Sequence, residues 1–161
     1  MKPFSADRIA ALAGAYALAM ILGALGFQYL GGILPCEMCH WQRWPLDGVI
    51  FIGLGAAALF AVGLIDRKVV LALAWLSLAL IATSGAIGSW QAGVEWKLIP
   101  GPTSCTGARF VFKGAADLNA PVISCDVAQW RLFGISLAGY NALGSLGTAM
   151  LGAFFLTRRR R

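Results

Sequence analysis

Four long stretches of this chain carry no charged residue, and that spacing constrains the fold more than any other feature. No charge occurs between Ile9 and Cys36, between Gly48 and Ile65, between Val69 and Val94, or between Leu132 and Thr157. Each gap holds about 18–25 mostly apolar residues, enough to cross a hydrocarbon core of ~30 Å as helix. A soluble helical protein shows polar stripes at helical spacing, and these stretches show none. Composition agrees. The chain is 59% hydrophobic and 12% charged, where soluble domains are nearer ~45–50% and ~25%. The expectation is an all-α membrane protein, a single domain over 1–161 built as a four-transmembrane-helix bundle. The helices are expected near residues 9–30, 46–65, 69–91 and 134–157. The first apolar run exceeds the ~7–15 residues of a signal-peptide core, and no small-x-small cleavage site follows it, so it reads as a retained helix.

Charge sets the expected orientation. Four helices place both termini on one side with the turn Asp66-Arg67-Lys68. That side holds eight basic residues (Lys2, Arg8, Arg67, Lys68 and Arg158 to Arg161) against two acidic ones, Asp7 and Asp66. The other side holds five of each: Arg43, Lys97, Arg109, Lys113 and Arg131 against Glu37, Asp47, Glu95, Asp117 and Asp126. The positive-inside rule makes the terminal side cytoplasmic and reads the basic tail as a topology anchor. In a bacterium this is a multi-pass inner-membrane protein, with the remaining loops in the periplasm.

Those loops are unequal. The first covers about residues 31–45. The second, about 92–133, contains Pro100, Gly101, Pro102, Gly107, Gly114 and Pro121, a composition that argues against regular structure. Long irregular loops in small membrane proteins tend to carry function. Small residues recur in the helices at Gly14, Gly53, Gly55, Gly85, Gly88, Gly144 and Gly147, which reads as close helix packing in lipid.

All four cysteines fall in these loops. Cys105 and Cys125 suit a staple, since closing a loop of that size adds ~3 kcal/mol. Cys36 and Cys39 form a C-x-x-C, whose ring is too small to restrain much chain entropy. Such pairs are usually redox or metal sites. If residues 36–44 are helical, Cys36, Cys39 and Arg43 share one face, and both the guanidinium and a helix N-terminus favour thiolate. Pro45 suits the start of the second helix. Trp41 and Trp44 read as interfacial aromatics.

Three chemistries compete for this pattern. One is thiol–disulfide electron transfer. The second is haem attachment, because Cys36 to His40 reads C-x-x-C-H; it leaves Cys105 and Cys125 unused, and His40 is the chain's one histidine. The third is a four-cysteine zinc site, which lacks the usual second tight pair. Electron transfer needs a terminal acceptor. With no Rossmann glycine fingerprint or P-loop in the sequence, a quinone dissolved in the bilayer fits the location. A disulfide-stapled scaffold without catalysis is the non-enzymatic alternative.

The motifs resemble one family. Pro35-Cys36-Glu37-Met38-Cys39-His40-Trp41-Gln42-Arg43-Trp44-Pro45, Gly93-Val94-Glu95, Pro100 to Cys105, and Cys125-Asp126 followed by Trp130 and Gly134 are together similar to disulfide bond formation protein B (DsbB). The resemblance covers nearly the whole chain. It implies a protein-dithiol:quinone oxidoreductase that reoxidises a soluble periplasmic DsbA-like thioredoxin-fold oxidase and supports disulfide formation in exported proteins. Cys105 would form the mixed disulfide with that partner, and Cys125 would exchange with Cys36. Cys39 would face the quinone, ubiquinone or menaquinone, with Arg43 assisting. Many relatives carry a histidine just before the Gly-Val-Glu stretch, where Gln91-Ala92 stand here; His40 is the expected substitute near the quinone. Vitamin-K-epoxide-reductase-like enzymes also join four helices to a C-x-x-C, but theirs usually precedes the last helix.

Overall fold

A computed structural model describes residues 5–106 and 124–158. The middle of the second loop, with Gly107, Arg109, Lys113, Gly114, Asp117 and Pro121, and the terminal arginines 159–161 lie outside the described residues. Four helices make up nearly all of the rest: α1 (Ala6–Tyr29), α2 (Glu37–Ala61), α3 (Arg67–Glu95) and α4 (Leu137–Arg158). Helix α1 packs on α2, α2 on α3, and α3 on α4, with α1 also against α3.

Among the described residues, α1, α2 and α3 are long and apolar enough to cross a membrane. Helix α4 does not join them on hydropathy; Asn141, Ser145, Thr148 and its glycines dilute its leucines and phenylalanines. Large apolar side chains point outward around the bundle, among them Leu12, Leu22, Phe51 and Leu151. An apolar exterior of this extent marks a surface covered by something other than water.

The helix ends follow local chemistry. Asp66 Oδ1 caps α3 by accepting from Val69 N–H at 2.8 Å. Helices α2 and α3 both finish with paired hydrogen bonds back to the last turn. Gly63 N–H donates to Phe60 O and Leu64 N–H to Leu59 O; Lys97 N–H donates to Val94 O and Leu98 N–H to Gly93 O. The residue that reverses the chain is Gly63 (φ 76°) in one case and Lys97 (φ 59°) in the other.

Helix α2 begins at Glu37 rather than near residue 46. Cys36 is its cap, with Sγ accepting from Cys39 N–H at 3.2 Å. Pro45 therefore lies inside the helix and not at its start. A proline there removes one ladder hydrogen bond. Beside that gap, Ser84 Oγ of α3 donates to Gln42 O at 2.8 Å, the kind of side-chain support that lets helices in lipid keep a proline. Helix α3 correspondingly runs past residue 91 to Glu95.

The second loop contains a short regular element that its composition did not announce. Strands β1 (Arg131–Leu132) and β2 (Ile135–Ser136) form an antiparallel hairpin pairing Arg131 with Ser136 and Leu132 with Ile135. Phe133 (φ 48°) and Gly134 (φ 81°) make its turn, and two positive φ values in a two-residue loop suit the twist of paired strands. Ser136 Oγ then accepts from Gly139 N–H at 3.2 Å and starts α4.

The interior changes along the bundle. Nearest the termini it is apolar, with Ile9, Val70, Leu78 and Leu156, followed by Leu46, Val49 and Ile81. Close backbone approach is carried by some glycines only. A Cβ on Gly53 would lie 2.6 Å from Ala10 O, and one on Gly88 would lie 2.9 Å from Ala138 O, whereas Gly55 and Gly147 have no neighbour within 4 Å. Beyond the apolar layers come buried Gln42, Ser84, Asn141 and Ser145, and then the cysteines.

Candidate functional site

The cap of α2, the end of α3 and the segment before β1 meet at one end of the bundle. Cys36, Met38 and Cys125 are buried together there, with Cys39, Trp41 and Cys105 packed against them. Both cysteine pairs thus belong to one cluster. Cys105 and Cys125 form a disulfide with Cα atoms 5.4 Å apart, and Cys36 and Cys39 are free thiols. The Cys125 N–H also donates to Cys105 O at 2.8 Å. The Cys36 thiol is pushed up from its ordinary range, first by its hydrogen bond with Cys39 and then by burial.

Gln91 organises the buried side of the C-x-x-C. Its Nε2 lies 3.4 Å from Cys36 Sγ, 3.6 Å from Cys39 Sγ and 3.1 Å from Glu95 Oε1. Its Oε1 accepts from Gln42 Nε2 at 2.6 Å. Gln42 Oε1 in turn accepts from Asn141 Nδ2 at 2.8 Å, and Asn141 Oδ1 accepts from Ser145 Oγ at 2.9 Å. This chain of amides joins α2, α3 and α4 under the sulfurs.

Beside the sulfurs and this amide chain is a cavity of about 410 Å³, within the ~300–1,000 Å³ usual for small-molecule sites. The second half of α1 supplies Met20, Ala24 and Phe27; Cys36, Cys39, Gln42 and Arg43 form one wall; Gln91, Glu95 and Asn141 form another. Trp130 covers it, with its ring 5.0 Å from Phe27 and 6.2 Å from Tyr140. Tyr140 OH donates to Leu132 O, and Gln129 Nε2 donates to Leu34 O, fixing that cover to the hairpin and the first loop.

Arg43 reaches the cavity from α2. Its Nη1 donates to Gln28 Oε1 at 2.7 Å and its Nη2 to Ala24 O at 3.4 Å. No described carboxylate forms an ion pair with it. The single ion pair among the described residues is Lys97 with Asp126, at 2.5 Å, which ties the end of α3 to the residue after Cys125. This partner, and then Ser124, hold the Asp126 carboxyl below the usual carboxylate range.

The sequence-predicted residues are therefore mostly brought together. Cys36, Cys39, Cys105 and Cys125 share a cluster, and Cys36, Cys39 and Arg43 share the cavity wall. His40 is not among them: it is exposed and lies outside the cavity lining. Gln91 and Glu95 complete the site; the sequence marked Glu95 only within the Gly93-Val94-Glu95 stretch and Gln91 only as standing where relatives carry a histidine, and gave neither a role.

The cavity suits a small, largely apolar molecule. The lining is largely apolar, with a sulfur pair, Arg43, which is in no ion pair among the described residues, and Glu95, whose Oε2 is buried with no hydrogen-bond partner among the described residues. A ring with polar oxygens and an apolar tail matches that set of groups.

Fold and site together define a helical membrane protein with paired redox cysteines gathered at one end. The sequence model of the disulfide bond formation protein DsbB family matches residues 6–155, and the chain belongs to that family. Disulfide bond formation protein B of Azoarcus sp. (strain BH72) is 31% identical over 160 residues, covering 91% of this chain and 89% of the relative. Proteins of the same name from Acidovorax sp. (strain JS42) and Stutzerimonas stutzeri (strain A1501) are 28% and 27% identical, covering 96% and 98% of this chain and 89% and 97% of theirs. No solved structure gives a significant match. The protein is accordingly an integral membrane protein of disulfide bond formation, and its cysteines are those of an oxidoreductase.

Proposed function

We propose that this chain is a protein-dithiol:quinone oxidoreductase of the bacterial inner membrane. It takes electrons from a soluble periplasmic DsbA-like thioredoxin-fold oxidase and delivers them to membrane quinone. All four helices span the bilayer, with the termini cytoplasmic and both cysteine pairs periplasmic. The observation that carries this reading is the single buried cluster that sets Cys105–Cys125 against Cys36, at the wall of an apolar cavity that also holds Cys39 and Arg43.

Each residue then has a task. Cys105 is attacked by a partner thiolate and forms the mixed disulfide, which releases Cys125. Cys125 exchanges with the Cys36–Cys39 disulfide, leaving Cys105–Cys125 to re-form once the partner departs oxidised. Two electrons then reside in the Cys36–Cys39 dithiol. Arg43 holds an acceptor oxygen by charge-assisted hydrogen bonds and stabilises negative charge there and on Cys39. Phe27, Trp130 and Tyr140 exclude water from the ring. Quinone, when bound, supplies a two-electron, two-proton sink.

The test is loss of quinone ultraviolet absorbance with purified protein in detergent and a reduced thioredoxin-fold donor. Reduction should require all four cysteines, and Cys105→Ala should trap no partner complex. Intact donor thiols and unchanged quinone with the unmodified protein would leave a stapled scaffold instead. A normal yield of mixed disulfide from Cys105→Ala would move electron entry to Cys125.

A further inference from the structure

Oxidising a dithiol releases two protons as well as two electrons, and the cavity beside Cys39 is apolar and roofed. Its titratable or charged lining residues are Cys36, Cys39 and Arg43 around the start of α2, Glu95 from α3 and Tyr140 from α4; α1 and segment 124–132 contribute none. Arg43 keeps its proton at any working pH. Tyr140 commits its hydroxyl to Leu132 O. That leaves one carboxyl.

Glu95 is 8% exposed and ends α3. Its Oε1 is held by Gln91 Nε2 at 3.1 Å, and the same amide nitrogen lies 3.4 Å and 3.6 Å from the two sulfurs. Its Oε2 is buried with no hydrogen-bond partner among the described residues. A buried carboxylate oxygen left without a donor is costly and calls for an explanation. Gln91 cannot take the proton, since a carboxamide is not a base near neutral pH. Its geometry makes it a positioning residue that fixes one carboxylate oxygen of Glu95 beside the two sulfurs, and Glu95 also lines the cavity.

We infer that Glu95 is the proton-exchanging group of this site, passing a thiol proton from the C-x-x-C to the bound acceptor. The inference rests on the quinone reading given above. Cys39 yields its proton to the Glu95 carboxylate, directly or through a water, and Glu95 returns it to one acceptor oxygen. The Cys36 proton passes to the other acceptor oxygen as the Cys36–Cys39 S–S bond forms. Two thiols and one quinone give one disulfide and one hydroquinone, and Glu95 ends as it began.

Glu95→Gln keeps an oxygen for Gln91 and removes the charge and the base. Two readouts should move in opposite directions. In the reduced, quinone-free protein, iodoacetamide should label Cys39 faster at a given pH, because a neighbouring anion has gone; mass spectrometry identifies the labelled cysteine. With donor and quinone, turnover should fall by about 100-fold or more, the scale of general acid–base catalysis, and its pH profile should change, with the part set by the thiols remaining. Glu95→Asp, which retains a carboxyl, should be slower than the unmodified protein but keep its pH profile. Unchanged labelling and turnover in Glu95→Gln, or a pH profile in Glu95→Asp altered as in Glu95→Gln, would overturn the assignment. Should the unmodified protein reduce no quinone, the functional reading fails, and the labelling arm alone still decides whether Glu95 acts on the sulfurs.

Discussion

Gln42 and Gln91 meet across the α2–α3 contact, with Gln42 Nε2 donating to Gln91 Oε1 at 2.6 Å. Through that one bond the proline-interrupted part of α2 is tied to the residue that touches both C-x-x-C sulfurs. Gln91→Ala leaves Glu95 Oε1 without its donor and reduces Gln42 Nε2 to a single bond, to Met38 O at 3.3 Å. Leaving buried polar groups unpaired costs about 1–3 kcal/mol. The expected outcome is a lower midpoint in a thermal melt in detergent, with the Cys105–Cys125 disulfide still formed. An unchanged midpoint would show that the network contributes nothing to folding.

Helix α1 rests on α2 at Gly53, where a Cβ would meet Ala10 O at 2.6 Å and Gly14 N at 2.9 Å. Both are backbone atoms and cannot rotate away. Gly53→Ala should destabilise by about 1–3 kcal/mol, the usual cost of overpacking. Gly55→Ala, two residues on and facing open space, should be neutral or stabilise by up to about 1 kcal/mol through helix propensity. Reversible unfolding in mixed micelles measures both, and equal effects would refute the close approach.

Arg43 holds Gln28 and the α1 backbone with one guanidinium. Arg43→Ala should raise the KM for quinone about 10–100-fold, the worth of one hydrogen bond from a charged group at ~1.5–3 kcal/mol. All four cysteines should still pair in non-reducing gels. Arg43→Lys keeps the charge but loses the fork, so it should recover only part of the affinity. Unaltered quinone kinetics in Arg43→Ala would remove the residue from the site.

The Lys97–Asp126 pair makes a pH prediction. The folded carboxyl titrates below its unfolded value, so its contribution is present above the usual carboxylate range and is lost as pH falls through the lowered folded value. The pair is exposed, and its effect on global stability is correspondingly small. Its reach is local, onto the backbone next to Cys125. In Lys97→Met at neutral pH, dithiothreitol should reduce Cys105–Cys125 severalfold faster; below that window, where a phosphine must replace the thiol because the thiolate is the nucleophile, the variant and the unmodified protein should be reduced at the same rate. Identical reduction rates at neutral pH in Lys97→Met and the unmodified protein would show that the pair does not restrain the disulfide.

Charge gaps alone located the four helices, because lipid tolerates charge so poorly that its absence is a signal in itself. They did not locate where α2 starts. Pro45 is as good a first residue as it is a poor interior one, and only the sulfur cap at Cys36 and the support from Ser84 decide between the two. Spacing and motif singled out the cysteines and Arg43, and the structure brings Cys36, Cys39 and Arg43 to one cavity lining. His40 shows what spacing omits, since one residue beyond Cys39 turns the side chain roughly 100° around a helix of 3.6 residues per turn, away from the wall. The roles of Gln91 and Glu95 were hidden for another reason. The Gly93-Val94-Glu95 stretch and the missing histidine at Gln91 drew notice without a role, because their meeting with Cys36 and Gln42 depends on the register of α3 against α2. The glycines likewise announced tight packing without telling Gly53 from Gly55.

The sulfur of Cys36 marks the first turn of α2 and is also one of the atoms the proposed chemistry consumes. The free Cys36 thiol sulfur accepts the Cys39 amide, and drawing that sulfur into a bond with Cys39 Sγ moves it off the cap, so the helix gains and loses its opening punctuation as electrons pass. The Cys39 N–H is thereby a built-in gauge. Its solvent exchange should be slow when the pair is reduced and quicker when it is oxidised, which gives a spectroscopist a single backbone proton from which to read the electron count of the site.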